Sequence, residues 1–266
     1  MKLDVQGRAA YAYTGGKPFA EDGPCVVFIH GALNDHSVWT LLARWYAHHG
    51  HRVLAVDQPG HGRSDGPPLP SVEALADWVL ALLDAAGVKT AHLVGHSMGS
   101  LIALEAASRA PERAAGLVMV GTAYPMKVSD ALLATARDEP ARAIAMVNAF
   151  SHSGIASKPS YPGPGAWLCG GASALMHRTQ DSAEGNLFEH DFRVCDAYAN
   201  GLQAAARVTC PASLIVGTRD VMTPTKATKE LAGMLNATVS RIVSGHALMQ
   251  EAPDAVLNAM RAAIPA

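Results

Sequence analysis

The sequence lacks the patterns that mark several large classes of protein. Its four cysteines, Cys25, Cys169, Cys195 and Cys210, form no CxxC pair and no zinc-type spacing, so they read as reduced thiols of a cytoplasmic protein. None of its 12 histidines falls in an H-E-x-x-H arrangement, and neither a metal nor a cofactor is expected. No stretch approaches the roughly 18–20 continuous apolar residues of a membrane-spanning helix. The opening segment, MKLDVQGRAAYAYTGG, has no apolar run of the kind a secretory signal needs. Charge is sparse, at 17% of residues with a net value of −2, which removes the electrostatic case for nucleic acid or an anionic membrane as partner. There is no internal repeat and no low-complexity tract.

What is present is an apolar chain of 266 residues, 49% hydrophobic, long enough to bury a sizeable core in one or two domains. Short apolar runs recur at residues 25–30 (CVVFIH), 53–57 (VLAVD), 91–95 (AHLVG), 116–120 (GLVMV), 212–217 (ASLIVG) and 238–243 (TVSRIV). Runs without alternation are what strands buried on both faces look like. Helical patterns separate them. Residues 37–49 carry Val38, Leu41, Leu42, Trp45 and Tyr46 at helical spacing, with Gly50 placed to end the helix. Ser71 can cap the next helix. Residues 98–109, 225–235 and 254–263 complete the set. Alternating strands and helices predict an α/β fold with a parallel sheet covered on both sides. The rhythm breaks between about residues 124 and 207, where helical pieces at 130–150 and 192–206 flank a Gly-, Pro- and Ser-rich stretch. A segment that interrupts a βα series reads as a lid over the carboxyl edge of the sheet.

One motif carries chemistry directly. Gly95-His96-Ser97-Met98-Gly99 fits G-x-S-x-G, follows an apolar strand and opens a helix. In that setting the glycines allow a tight turn, and the serine projects from it as a nucleophile backed by a helix N-terminus. A serine hydroxyl needs a base, and the base needs a partner that holds its tautomer. His246 lies just after the last strand and Asp220 just after the strand at 212–217, so both loops reach the edge where Ser97 sits. Asp220 could alternatively cap the helix that begins near Pro224. Backbone N–H groups of Ala32, in His30-Gly31-Ala32-Leu33, and of Met98 are placed to cradle a tetrahedral oxyanion. His48, His49 and His51 read as a solvated helix end, His96 as a residue shaping the turn, and the 57–64 loop (DQPGHGRS) with Asp57 and His61 as structural.

These segments together, HGAL at 30–33, DQPGHGRSDG at 57–66, GHSMGS at 95–100, GTRDVMTP at 217–224 and SGHALMQEAPD at 244–254, resemble the α/β-hydrolase superfamily, in which the triad runs in the order Ser, Asp, His. The style is similar to small carboxylesterases of the pimeloyl-carrier-protein methyl esterase kind, and to C–C hydrolases of aromatic degradation. The resemblance implies an α/β-hydrolase fold: a mostly parallel eight-stranded sheet flanked by helices, with a helical lid between its sixth and seventh strands. The core would be residues 1–122 and 209–266 and the lid 123–208. Two departures stand out: Ser100 where many relatives have glycine, and the Pro- and Gly-rich stretch 158–171. The function expected is a cofactor-free serine esterase, monomer or homodimer, acting on a small to medium, partly apolar ester. Leu33, Trp167, Leu168, Met176 and Phe188 are expected to contact substrate. The same triad would serve a C–C hydrolase, thioesterase or lactonase. A lyase or a ligand-binding receptor could stand on the same scaffold.

Overall fold

A computed structural model describes residues 1–265. Its elements run in the order β1 (Lys2–Val5), β2 (Arg8–Tyr13), β3 (Cys25–Ile29), α1 (Thr40–His48), β4 (Arg52–Val56), α2 (Val72–Ala85), β5 (Ala91–His96), α3 (Met98–Arg109) and β6 (Ala114–Val120). Five helices follow before the next strand: α4 (Asp130–Asp138), α5 (Pro140–Ser151), α6 (Leu168–Ser182), α7 (Leu187–Ala197) and α8 (Gly201–Ala205). The chain ends with β7 (Ala212–Gly217), α9 (Lys229–Met234), β8 (Thr238–Ile242), α10 (Leu248–Glu251) and α11 (Pro253–Ala263).

The eight strands form one sheet in the order β1-β2-β4-β3-β5-β6-β7-β8. β1 pairs antiparallel with β2, and β2 with β4; every other pairing is parallel. The central strands show why they must be covered twice. Val27, Ile29, Leu54, Leu93, Leu117 and Leu214 face one apolar cluster with α2 and α3. Their neighbours Val26, Phe28, Val53, Val94, Val118 and Ile215 face another with α1 and α11. Successive side chains point to opposite faces, so a run that is apolar throughout needs helices on both. The parallel register brings the carboxyl ends of β3, β5, β6, β7 and β8 to one edge, where the loops bearing residues 31–33, 97, 220 and 246 emerge.

Local signals set some of the helix ends. Ser71 Oγ accepts from the Ala74 amide at 3.1 Å at the start of α2, and Gly50 has a positive φ of 90° just past α1. The face of α1 is rotated from the sequence pattern: Leu42, Ala43, Tyr46 and Ala47 are inside, while Leu41 is 64% exposed. The helical stretch expected over 130–150 is two helices, because Pro140 begins a new one after Glu139 breaks the first. The helix expected over 192–206 begins earlier, at Leu187, and stops at Ala197 before the short α8. Helices α4 to α7 enclose an apolar cluster of their own, Ala136, Ile144, Met176, Phe188 and Phe192, into which Leu33 inserts from the core. Among the described residues, no helix is long and apolar enough to cross a membrane.

Space around the glycines supports a paired prediction. A Cβ on Gly99 would lie 2.3 Å from the Ile29 carbonyl oxygen, whereas one on Gly171 in α6 meets nothing within 4 Å. Gly99→Ala should destabilise by about 3 kcal/mol or more through overpacking against backbone. Gly171→Ala should stabilise by about 0.5–1 kcal/mol through helix propensity. Urea unfolding midpoints check both, and a tolerated Gly99→Ala would contradict the packing described.

Candidate active site

Ser97 stands between β5 and α3 with φ 53° and ψ −122°, a region that a residue with a side chain enters only when its surroundings hold it there. Those surroundings are identifiable. Its amide donates to the Val120 carbonyl at 3.0 Å. A Cβ on Gly95 would come within 2.0 Å of the Gly99 carbonyl oxygen, so neither glycine can carry a side chain. Ser100, the departure noted in the motif, adds a restraint of its own: its hydroxyl donates to the Ser97 carbonyl at 2.5 Å and is 2.8 Å from the Thr122 hydroxyl.

His246 and Asp220 are brought together. His246 Nδ1 lies 2.8 Å from Asp220 Oδ2, so Nδ1 carries the proton and Nε2 is left as the basic nitrogen. The carboxylate is fully engaged. Oδ1 accepts the amides of Met222 and Thr223, each at 2.8 Å, and Oδ2 also accepts the Thr223 hydroxyl at 2.6 Å. Asp220 does not cap the helix near Pro224, whose N-terminus has no side-chain cap; it ties up the two amides that precede Pro224 and faces the histidine. Burial works to raise the Asp220 carboxyl, but the His246 ring and the Thr223 hydroxyl and amide outweigh it and hold it below the usual carboxylate range.

His96 does more than shape the turn. It is buried, and its Nε2 donates to the His246 carbonyl at 2.9 Å. Burial and the neighbouring His246 push it down to about 3, so it is neutral and able to fix the backbone of the His246 loop. Sequence reasoning missed both this contact and the Thr223 contacts. For Thr223 a signal existed in Asp-x-x-Thr-Pro, an aspartate positioned to accept amides two and three residues on. For His96 there was none, because its partner lies 150 residues away.

Ser97 and His246 border one cavity of about 220 Å³, together with Gly31, Ala32 and His96. Among the described residues, neither the Ala32 nor the Met98 amide has an acceptor within the chain; the Met98 side chain is buried in the core beneath. The cavity walls are largely apolar. Met126, Val128, Leu132, Val147, Met176 and Phe192 come from the β6–β7 connection, Met222 from the loop after β7 and Met249 from α10. Of the five residues expected to contact substrate, Met176 lines the cavity. Leu33, Trp167, Leu168 and Phe188 do not. Leu33 and Phe188 are consumed in the apolar cluster of the connecting helices. Phe188 stacks on Phe192 with ring centroids 4.7 Å apart, and the latter, one turn on, reaches the cavity. Trp167 folds over Gly170 and is 60% exposed, and Leu168 opens α6 beside it.

The comparisons agree with this frame. Residues 24–160 match the family model described as alpha/beta hydrolase fold, and the chain belongs to that family. It is 33% identical to pimeloyl-[acyl-carrier protein] methyl ester esterase of Chromobacterium violaceum over 222 residues, which cover 80% of this chain and 82% of the relative. It is 36% identical over 124 residues to the dihydrolipoyllysine-residue acetyltransferase component of the acetoin cleaving system of Pseudomonas putida. There the match covers 46% of this chain and only 32% of the relative's length. The enol-lactonase of Burkholderia xenovorans LB400 has the same fold, with a TM-score of 0.86 over the whole of both chains at 22% identity.

The depressed Asp220 carboxyl has a consequence for stability. A folded-state value below the unfolded one contributes stability that is complete above about pH 4 and is lost as pH falls through the folded value. The stability difference between the wild type and Asp220→Asn, read from urea midpoints, should therefore be largest near pH 6 and shrink below about pH 3. A difference that stays constant across that range would refute the assignment.

Proposed function

We propose that the chain is a serine hydrolase that cleaves the carboxylic ester of a small to medium, partly apolar substrate through an acyl-enzyme. The observation that carries this reading is the 2.8 Å contact from His246 Nδ1 to Asp220, on a cavity that Ser97 enters from a left-handed strand-to-helix turn. Ser97 Oγ attacks the ester carbonyl as His246 Nε2 takes its proton. Asp220 stabilises the imidazolium that results. The oxyanion is held by the amides of Ala32 and Met98; loss of one such donor raises a barrier by about 2.7–4 kcal/mol. His246 then gives its proton to the leaving alcohol. Water, activated by the same nitrogen, releases the acid and restores Ser97.

Residues 123–208 serve as the lid, because they supply most of the cavity's apolar wall. Methionines from both sides of that wall, Met126, Met176, Met222 and Met249, give a surface that adapts to differing apolar shapes. The relative that shares 33% identity over most of its length is named for ester hydrolysis, which favours an ester over the C–C bond, thioester or lactone that the same three residues could cut.

Reaction with a fluorophosphonate probe and turnover of short p-nitrophenyl esters test this reading. The wild type should label and turn over. Ser97→Ala should do neither, and His246→Ala and Asp220→Asn should lower kcat by about three to four orders of magnitude. A folded wild-type protein that never labels would sink the proposal.

A further inference from the structure

One carboxylate of the β6–β7 connection reaches into the core at a place the ester chemistry does not use. Asp191, on α7, is 2% exposed. Its Oδ2 accepts the Leu33 amide at 2.8 Å and lies 2.9 Å from His61 Nε2. Leu33 follows Ala32 in the loop after β3. A single oxygen from the connecting helices thus holds the peptide next to the amide assigned to the oxyanion.

The charge on His61 follows from what its ring faces. Nδ1 lies 3.2 Å from the Pro59 carbonyl and Nε2 faces the Asp191 carboxylate. Both are acceptors, so a neutral ring would set a lone pair against a lone pair, and only the imidazolium satisfies both. Burial opposes that charge, but Asp191, the Pro59 carbonyl and Asp57 outweigh it and raise the ring above its ordinary value. His30, with its ring 5.0 Å away, is the opposite case. Its Nε2 accepts the Gln58 amide and its Nδ1 donates to the Gly31 carbonyl. Burial and the charge of His61 push it down to about 4. Asp57 is occupied by His36 and the Arg63 amide. The thiol of Cys195, one turn beyond Asp191, is raised by burial and by Asp191. Asp191 and His61 therefore form a buried ion pair between the connecting helices and the core.

Leu33 needs to be held. It is fully buried with φ 54°, in the left-handed region that a leucine does not favour. Its amide is fixed by Asp191, and the carbonyl of the same peptide, that of Ala32, accepts Asn34 Nδ2 at 2.9 Å. The peptide is pinned at both ends. Rotating it would turn Ala32 and move its amide relative to Ser97.

We propose that Asp191 is a positioning residue for the oxyanion loop: paired with His61, it fixes the peptide between residues 32 and 33 and, through it, the Ala32 amide. This rests on the reading of Ala32 as an oxyanion donor. If Asp191 only fastened helices to the core, its loss would lower stability and alter KM while leaving kcat in place.

The test uses the full chain with p-nitrophenyl butyrate, comparing kcat, KM and melting temperature for the wild type, Asp191→Ala and Asp191→Asn. Alanine leaves the Leu33 amide without an acceptor. Asparagine keeps an oxygen for it but removes the charge that His61 faces. Asp191→Ala should lose about tenfold or more in kcat with KM within about threefold of the wild type. Asp191→Asn should recover kcat to within about threefold while its melting temperature falls as far as that of the alanine variant. Should Asp191→Ala not fold, the double replacement His61→Met with Asp191→Leu removes both charges together, a change that buried pairs tolerate, and the same loss of kcat is expected. An alanine or double variant with kcat within twofold of the wild type overturns the proposal, as does a kcat that follows melting temperature equally in both single variants. A wild type that neither hydrolyses the ester nor reacts with the fluorophosphonate fails the serine-hydrolase reading itself and takes this inference with it.

Discussion

No side chain fits between the end of β5 and the first turn of α3, and much of the molecule is arranged around that contact. The backbone at Gly95 lies against that at Gly99, and Gly99 in turn lies against the carbonyls of Ile29 and His30. A helix can leave a strand this abruptly only with Ser97 in a left-handed conformation. The central position of β5, between β3 and β6, then puts that serine at the middle of the sheet's carboxyl edge. The loops after β3, β7 and β8 open onto the same edge, so residues separated by more than a hundred positions meet without any of them leaving the end of its own strand.

Four of the buried histidines around this point carry different protons, and the neighbours of each ring decide which. His96 and His30 each make one donor contact under heavy burial, and both are pushed down, to about 3 and about 4. His61 faces acceptors on both sides and is raised. His246 faces Asp220 with Nδ1 and keeps Nε2 for the cavity. One residue type thus supplies two neutral struts, one buried cation and one ring that borders the cavity. Their order along the chain says nothing about this division; the acceptors and donors opposite each nitrogen do.

This explains which parts were legible in the sequence. Five of the six runs gave the central parallel strands because burial on both faces leaves a pattern within each run, while the sixth, 238–243, is the part-exposed edge strand β8. Ser97, Asp220 and His246 could be singled out because each lies within four residues of a strand's end. The hairpin β1–β2 carried no such mark: its turn is Gln6-Gly7, both with positive φ, and glutamine there is a weaker signal than asparagine. The cavity wall was illegible for another reason. Phe188 and Phe192 are both apolar residues on one face of α7, and only the way α4, α5 and α6 close around that helix sends the first into the interior and the second to the cavity. Trp167 is the converse, a large aromatic that lies over Gly170 and stays largely exposed.

The same closure ties the cavity to the chemistry. Three carboxylates fasten the connecting helices to sheet-edge loops. Asp35 holds Arg178 at 2.9 Å, Asp191 holds the Leu33 amide and His61, and Glu251 accepts the amides of Ser153 at 2.9 Å and Gly245 at 3.3 Å. The last of these is immediately before His246, whose neighbour Ala247 also donates to the Ser151 carbonyl. Two of the three links are wholly buried and lie on the loops that carry Ala32 and His246. A movement of these helices large enough to admit a bulky substrate would strain those loops before it enlarged the cavity. The side chains best able to reshape the cavity without moving those helices are the unbranched methionines that line it, Met126, Met176, Met222 and Met249.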